Sequence, residues 1–232
     1  MLAVLEAIAA EQPIGSAALS RLMNIDKSAI QRSVATLSRA GWIAATDERP
    51  LRWELSAHLF SIALLPQSSE DLRARVAPFL RELRDVTGET AFMAIPDLSR
   101  LVVVEVAESP HTLRTAPRIG EPIPPEHSST GRAILPYLEE KLQAKLLGRE
   151  PSEGDRQGFR ETIDRGYAAS IGEVLDGSTN IAAPIIDRNG RAIAAIAITA
   201  PSDRLDEDKQ EKIGKLLADS ASRLSRKPAN RN

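Results

Sequence analysis

The sequence predicts an α+β chain in two parts: a small N-terminal unit of three helices and a β-hairpin, then a larger α/β domain on an antiparallel sheet, with a helical linker between them. Three observations carry that reading. Up to Ala40, apolar residues recur at spacings of three and four, the periodicity of helices. Two short β-prone runs around a polar tip come next. After Gly88 the pattern changes to strand-like runs with helices between them, the order expected of an α+β sheet domain.

Residues 1–12 read as a helix with Leu2, Leu5, Ile8 and Ala9 on one face, broken by Pro13-Ile14-Gly15. A second helix has Ala18, Leu19 and Leu22 as its stripe and Gly15 or Ser16 as its cap. Met23-Asn24-Ile25-Asp26 is a tight turn, and Asn24 is a residue type that tolerates a left-handed backbone. Asp26 caps a third helix, Lys27 to Ala40, with Ile30, Val34 and Leu37 facing inward and Gly41 ending it. The runs Trp42 to Thr46 and Leu51 to Leu55 flank the tip Asp47-Glu48-Arg49-Pro50. Three helices, a short turn between the second and third, then a hairpin make a winged helix-turn-helix over residues 1–56.

Residues 57–66 and 69–87 read as helices, the second with a stripe of Leu72, Val76, Phe79, Leu80 and Leu83. The expectation for 57–87 is a linker and dimer helix. In the domain 88–226 the expected strands are Thr90 to Ile95, Leu101 to Ala107, Thr112 to Ile119, Ile181 to Asp187 and Arg191 to Ala200. Asp97-Leu98-Ser99 and Arg188-Asn189-Gly190 are turns. Helices are expected at 129–138, 139–147, 155–165 and 208–224. Asp203, Asp206, Glu207 and Asp208 suit the positive end of the last. The polar tail from Arg226 is expected to fray.

Composition removes several functions. The chain is 42% apolar and 27% charged, ordinary for a globular protein. Only 3% is aromatic, too little for stacking platforms on single-stranded nucleic acid. The net charge is −2, so DNA binding would need a local basic patch. No cysteine means no disulfide framework, no thiolate zinc site and no cysteine nucleophile. With neither a membrane-length apolar run nor a signal peptide, a cytoplasmic location is expected.

Such a patch exists. From Arg21 to Arg39 there are four cations (Arg21, Lys27, Arg32, Arg39) against Asp26, a local +3. Lys27, Ser28, Gln31 and Arg32 lie off the apolar stripe of the third helix. A recognition helix reads bases from its N-terminal residues while cations hold phosphates, so Gln31 could read adenine and Arg32 guanine or phosphate. Winged helices also serve as protein–protein modules, and spacing alone leaves both open.

Residues 2–43 resemble the DNA-binding domain of the isocitrate-lyase-regulator (IclR) family of bacterial transcription factors, and Lys27-Ser28-x-x-x-Arg32 matches its recognition-helix pattern. The resemblance runs on through Thr87-Gly88-Glu89-Thr90, Glu108-Ser109-Pro110-His111, His127-Ser128-Ser129-Thr130-Gly131-Arg132-Ala133, Arg165-Gly166-Tyr167-Ala168 and Ile181-Ala182-Ala183-Pro184-Ile185. It implies a GAF-like sensor domain and a homodimer or homotetramer; two subunits about a two-fold axis would read a roughly palindromic double-stranded operator, and neither a membrane partner nor a cofactor is expected. DNA-contacting residues would be Arg21, Lys27, Ser28, Gln31 and Arg32.

The last strand alternates Ile196 and Ile198 on one face with Ala195, Ala197 and Thr199 on the other. Small side chains leave space for a closely packed helix or for a ligand. The resemblance implies that a small organic effector binds there, near Ala197, Thr199 and Asn180. It also implies contributions from Ser170 and Glu173 after Gly166-Tyr167, and from the loop and helix start at Ser128, Ser129 and Gly131. Family members that sense small oxo-acids carry an acid near Ser170 or Ile171 and serine at the position of Ala197. Their absence implies a larger or more apolar guest.

An enzyme has little support in the residues. His58, His111 and His127 are the only histidines, none in a metal-binding spacing. His127 beside Ser128 and Ser129 lacks a nucleophile elbow. We therefore expect no catalytic residues and no metal. The reading is a DNA-binding regulator modulated by a small effector; the alternative is a small-molecule sensor or enzyme whose winged helix serves only dimerisation.

Overall fold

The computed structural model describes residues 1–47, 49–63, 68–97 and 99–225. Glu48 at the hairpin tip, Leu98 in its turn, the end of the helix expected over 57–66 and the tail from Arg226 lie outside them. The chain divides into two compact units, Met1–Ser68 and the remainder from Ser69.

In the first unit, α1 (Leu2–Glu11), α2 (Ser16–Met23) and α3 (Lys27–Arg39) precede a hairpin of β1 (Ile43–Ala45) and β2 (Trp53–Leu55), then α4 (Ala57–Ala63). Ile8, Leu19, Ile30, Val34, Leu37 and Ile43 form its core, with Trp42 and Trp53 packed on it. α1 buries Val4 and Ile8, while Leu2 is exposed. A four-residue spacing inside the helix, rather than a stripe running out to its end, meets the partner helices. Asn24 adopts the left-handed backbone (φ 52°), the sole non-glycine residue to do so among the described residues. The hairpin is antiparallel, Ile43 opposite Leu55, and Ile14 adds a bridge to Trp53.

The second unit begins with α5 (Ser68–Thr87) and the hairpin β3 (Thr90–Asp97) and β4 (Arg100–Ala107). A short β5 (Pro122–Ile123) precedes α6 (Ser129–Ile134), α7 (Glu140–Leu147) and α8 (Glu153–Arg165). Then come β6 (Ala168–Ile171), β7 (Ser178–Ile186), β8 (Ala192–Pro201) and α9 (Glu207–Ser225). The sheet runs β5-β4-β3-β8-β7-β6, antiparallel throughout.

On one face, Leu80 and Leu83 of α5 and Leu217 and Leu224 of α9 cover Ile181, Ile185, Ile196 and Ile198. The stripe expected to serve a linker and dimer helix is therefore buried under this unit's own sheet, because an isoleucine face needs an apolar cover. On the other face, Ala133 and Ile134 of α6 pack against Ala182, Ala195 and Ala197.

Two expectations differ from the fold. Thr112 to Ile119 is not a strand: it runs as irregular cover between β4 and β5, with Leu113 74% and Ile119 59% exposed. Its alternating apolar residues do not share a buried face, and Pro117 cannot donate to a ladder. Conversely, the small residues of β6 carry little strand preference, yet they pair with β7 from Ala168↔Ala182 to Ile171↔Thr179. Among the described residues, no helix is long and apolar enough to cross a membrane, and no His/Asp/Glu group is placed to hold a metal.

Candidate functional site

The first unit presents α3 to solvent. Asp26 accepts from the backbone N–H of Ser28 (2.9 Å) and, at 3.4 Å, of Ala29, and also from the Ser28 hydroxyl. These bonds, the Ser28 hydroxyl first, hold its carboxyl below the usual carboxylate range. Arg32 Nη1 donates to Ser28 Oγ at 3.3 Å, so two of the expected DNA contacts bind each other in the free protein. Arg21, Lys27, Gln31 and Arg39 line an open groove of about 980 Å³ together with Arg52, and among the described residues Glu11 is the one acid in its wall. Arg32 is exposed outside that groove. Arg52, on the hairpin, was not legible as a partner of α3; it reaches the groove because β2 pairs with Ile14.

The second unit holds a mostly apolar cavity of about 150 Å³ at the end of the sheet. Phe92, Asn180 and Thr199 line it from the strands, Ser128 to Thr130 from the start of α6, and Thr115 to Pro117 from the cover. Glu121 to Pro124 and the exposed aliphatics Val174 and Leu175 complete the wall. The cover is tied down at several points: Ser109 N donates to Thr90 Oγ1 (3.1 Å), Ser109 Oγ donates to Gly88 O (2.6 Å), and Thr115 Oγ1 lies 3.0 Å from Thr199 Oγ1.

Of the eight residues the resemblance implicates, Ser128, Ser129, Asn180 and Thr199 line this cavity. The other four are not among its lining residues. Ala197 is fully buried opposite Phe92 on β3 and Ala182 on β7, in the core beneath α6. Ser170 donates to His127 O at 2.6 Å, so His127 anchors the loop through its carbonyl. Glu173 receives Arg132 Nη1 (2.7 Å) and Nη2 (2.5 Å), while Arg132 Nη1 also donates to Ala169 O (3.1 Å). Gly131 lies against Pro125. These contacts shape the wall from behind. Ile171, which would offer apolar contact if it faced inward, is 57% exposed.

A charged network braces the loop before α6. Arg149 donates to Asp155 Oδ2 and Glu126 Oε1, both at 2.6 Å, and Asp155 also accepts from Ser152 N (2.7 Å) and Oγ (2.6 Å). The Arg149 guanidinium, assisted by Ser152, holds the Asp155 carboxyl well below the usual carboxylate range. A lowered folded-state value stabilises above the unfolded value, near 4, and that stability is lost as pH falls toward the folded value. Asp155→Asn should therefore unfold at lower denaturant than the parent at pH 7, and the gap should close as pH drops below about 4. A pH-independent gap in parallel urea titrations would remove the ion pair as its cause.

The family model described as "Bacterial transcriptional regulator IclR C-terminal" matches residues 66–226. The transcriptional repressor IclR of Escherichia coli is 28% identical over 227 residues, covering 91% of this chain and 82% of that protein. An IclR transcriptional regulator from Alicyclobacillus acidocaldarius superposes with TM-score 0.78 at 19% identity, covering 97% of this chain and 96% of that one. An IclR homologue from Microbacterium hydrocarbonoxydans, solved with 4-hydroxybenzoate, gives TM-score 0.81 at 19% identity over 97% and 95% of the two chains.

Proposed function

The chain belongs to the IclR family of bacterial transcriptional regulators, and from that premise we propose that it binds a roughly palindromic DNA operator as a homodimer or homotetramer, its grip modulated by a small organic effector. The observation that carries this reading is α3. Ile30, Val34 and Leu37 bind its inner face into the core, and its exposed face offers Lys27, Ser28, Gln31 and Arg32 beside the basic groove. A helix held by three buried aliphatics can carry its outer side chains into a major groove without losing its own packing. Arg32 is held by a neutral hydroxyl through one long bond, which a base edge or a phosphate can replace.

The effector reading rests on the cavity. Ring-sized guests enter voids of roughly 150 Å³. The neighbour holding 4-hydroxybenzoate carries a guest of that size. Val174 and Leu175 would gain cover from a ligand, which gives a bound molecule a means to reorder their loop. The relatives are regulators rather than enzymes, and no chemical turnover of the effector is proposed.

Arg32→Ala is expected to weaken operator binding by roughly 1–3 kcal/mol per half-site, as for a lost bidentate base contact, and Gln31→Ala to relax base preference more than it weakens non-specific binding. Titrations against the chain's own upstream DNA at two salt concentrations measure both. Parent-like binding by both variants, with unchanged salt dependence, would reject α3 as the reading element. Footprints should cover two half-sites about 34 Å apart or a multiple of that.

A further inference from the structure

We infer that Glu121 sets the chemical class of the effector: a one-ring molecule carrying hydrogen-bond donors, neutral or cationic, and not a carboxylate. This rests on the cavity being the effector site. Among the described residues its lining contains no lysine, arginine or histidine, and Glu121 is the only ionisable side chain in the wall. The position of Glu121 is built into the fold. Its N–H donates to Arg118 O (3.0 Å), its carbonyl accepts from Val103 N (3.1 Å) on β4, and Gly120, at φ +86°, makes the turn between them. The carboxylate oxygen Oε2 accepts the Arg118 backbone N–H at 2.8 Å. Among the described residues no cationic side chain pairs with it, so it lines the cavity with its charge uncompensated.

The hydrogen-bonding groups around it lean the same way. The Ser178 hydroxyl donates to Leu175 O (2.7 Å) and the Thr130 hydroxyl to Ser128 Oγ (3.2 Å). The Thr115 and Thr199 hydroxyls bond to each other at 3.0 Å, one donating and the other accepting. Asn180 Nδ2 donates to Ser178 Oγ (3.3 Å), while its Oδ1 receives no donor among the described residues. The remaining serine and threonine groups can donate or accept. Among the lining side chains, Asn180 Oδ1 and Glu121 Oε1 are the acceptor atoms that receive no donor among the described residues, and both take donors from a ligand. A carboxylate ligand would meet a like charge with no cation between them. The ring of the neighbour's 4-hydroxybenzoate suits this cavity; its acid group does not.

The test is calorimetry on the full chain at neutral pH and low salt with three probes of one shape: benzylamine, benzyl alcohol and benzoate. Glu121 is solvent-exposed, so screening keeps the effect moderate: benzylamine and benzyl alcohol should each bind about tenfold tighter than benzoate, and added salt should narrow the amine–benzoate gap. Glu121→Gln keeps an acceptor for Arg118 N–H and removes the charge, and it should shrink the amine-to-benzoate ratio by about tenfold. Benzoate binding as tightly as the other two, or an unchanged ratio in Glu121→Gln, overturns the inference. Ala116→Leu, on the exposed cover, narrows the cavity and separates the two readings. If benzoate wins and Ala116→Leu blocks it, the site stands and the ligand class falls. If no probe binds, or Ala116→Leu changes nothing, both fall.

Discussion

Gly131→Ala is expected to destabilise the C-terminal unit by about 3 kcal/mol, the upper part of the usual range for overpacking. A Cβ on Gly131 would stand 1.9 Å from the carbonyl oxygen of Pro125 and 2.6 Å from its carbonyl carbon. Backbone cannot swing aside as a side-chain tip can, so either α6 or the loop at Pro124 and Pro125 must move. Pro124 lines the cavity and Ser128 caps α6 onto Gly131 N (3.0 Å), so the same shift should disturb effector binding. Helix propensity acts in the opposite direction, favouring alanine by about 1 kcal/mol. Gly158→Ala in α8 isolates that term, since nothing lies within 4 Å of its Cβ, and it should stabilise by up to about 1 kcal/mol. Urea unfolding followed by far-ultraviolet circular dichroism measures both. A Gly131→Ala variant at least as stable as the parent would mean that the Pro125 loop yields freely.

Arg204→Met should cost roughly 3–5 kcal/mol, and Glu89→Gln distinctly less. The asymmetry comes from burial: the Glu89 side chain is 6% exposed and that of Arg204 is 27%. Arg204 Nη2 donates to Glu89 Oε2 at 2.8 Å, and Nε sits 2.8 Å from Oε1 without hydrogen-bond alignment. Removing the arginine strands a carboxylate that water barely reaches; removing the glutamate charge leaves a guanidinium that can still hydrate. Arg204 Nη1 also donates to Leu113 O at 3.1 Å, so its loss frees one anchor of the cover. Trypsin should then cleave at Arg114 and Arg118 sooner than in the parent. The double variant Glu89→Met, Arg204→Met should recover much of the loss, because the stranded charge is gone. Equal costs for the two single variants would show that the pair is not asymmetrically buried.

The N-terminal unit was the more legible part because its determinants are local. Asn24 takes the left-handed backbone that its turn requires, Asp26 caps α3 with its own side chain, and the spacing of Ile30, Val34 and Leu37 defines which face of α3 remains outside. Each depends on neighbours within a few residues, where periodicity and capping chemistry carry information. Leu2 failed the same reading because a stripe says which residues could be buried, not where the partner helices stop.

In the second unit, the sequence by itself determined the sheet's main strands and the small-residue face of β8. What occupies that face was decided by the tertiary structure alone. Helix and ligand were the alternatives, and the fold divides the strand between them: α6 packs on Ala195 and Ala197, and the cavity opens at Thr199. Alternation specifies faces along one strand but cannot say how far a distant helix extends over them. The same holds for the cover at Thr112 to Ile119, which is held by side-chain bonds to residues such as Thr199 and Arg204 far along the chain. Glu121 likewise became a candidate determinant only when β4, the cover and α6 were brought around one void. Contacts between residues eighty or more positions apart leave no mark in local spacing; they exist because burial of the isoleucine sheet brings those segments together.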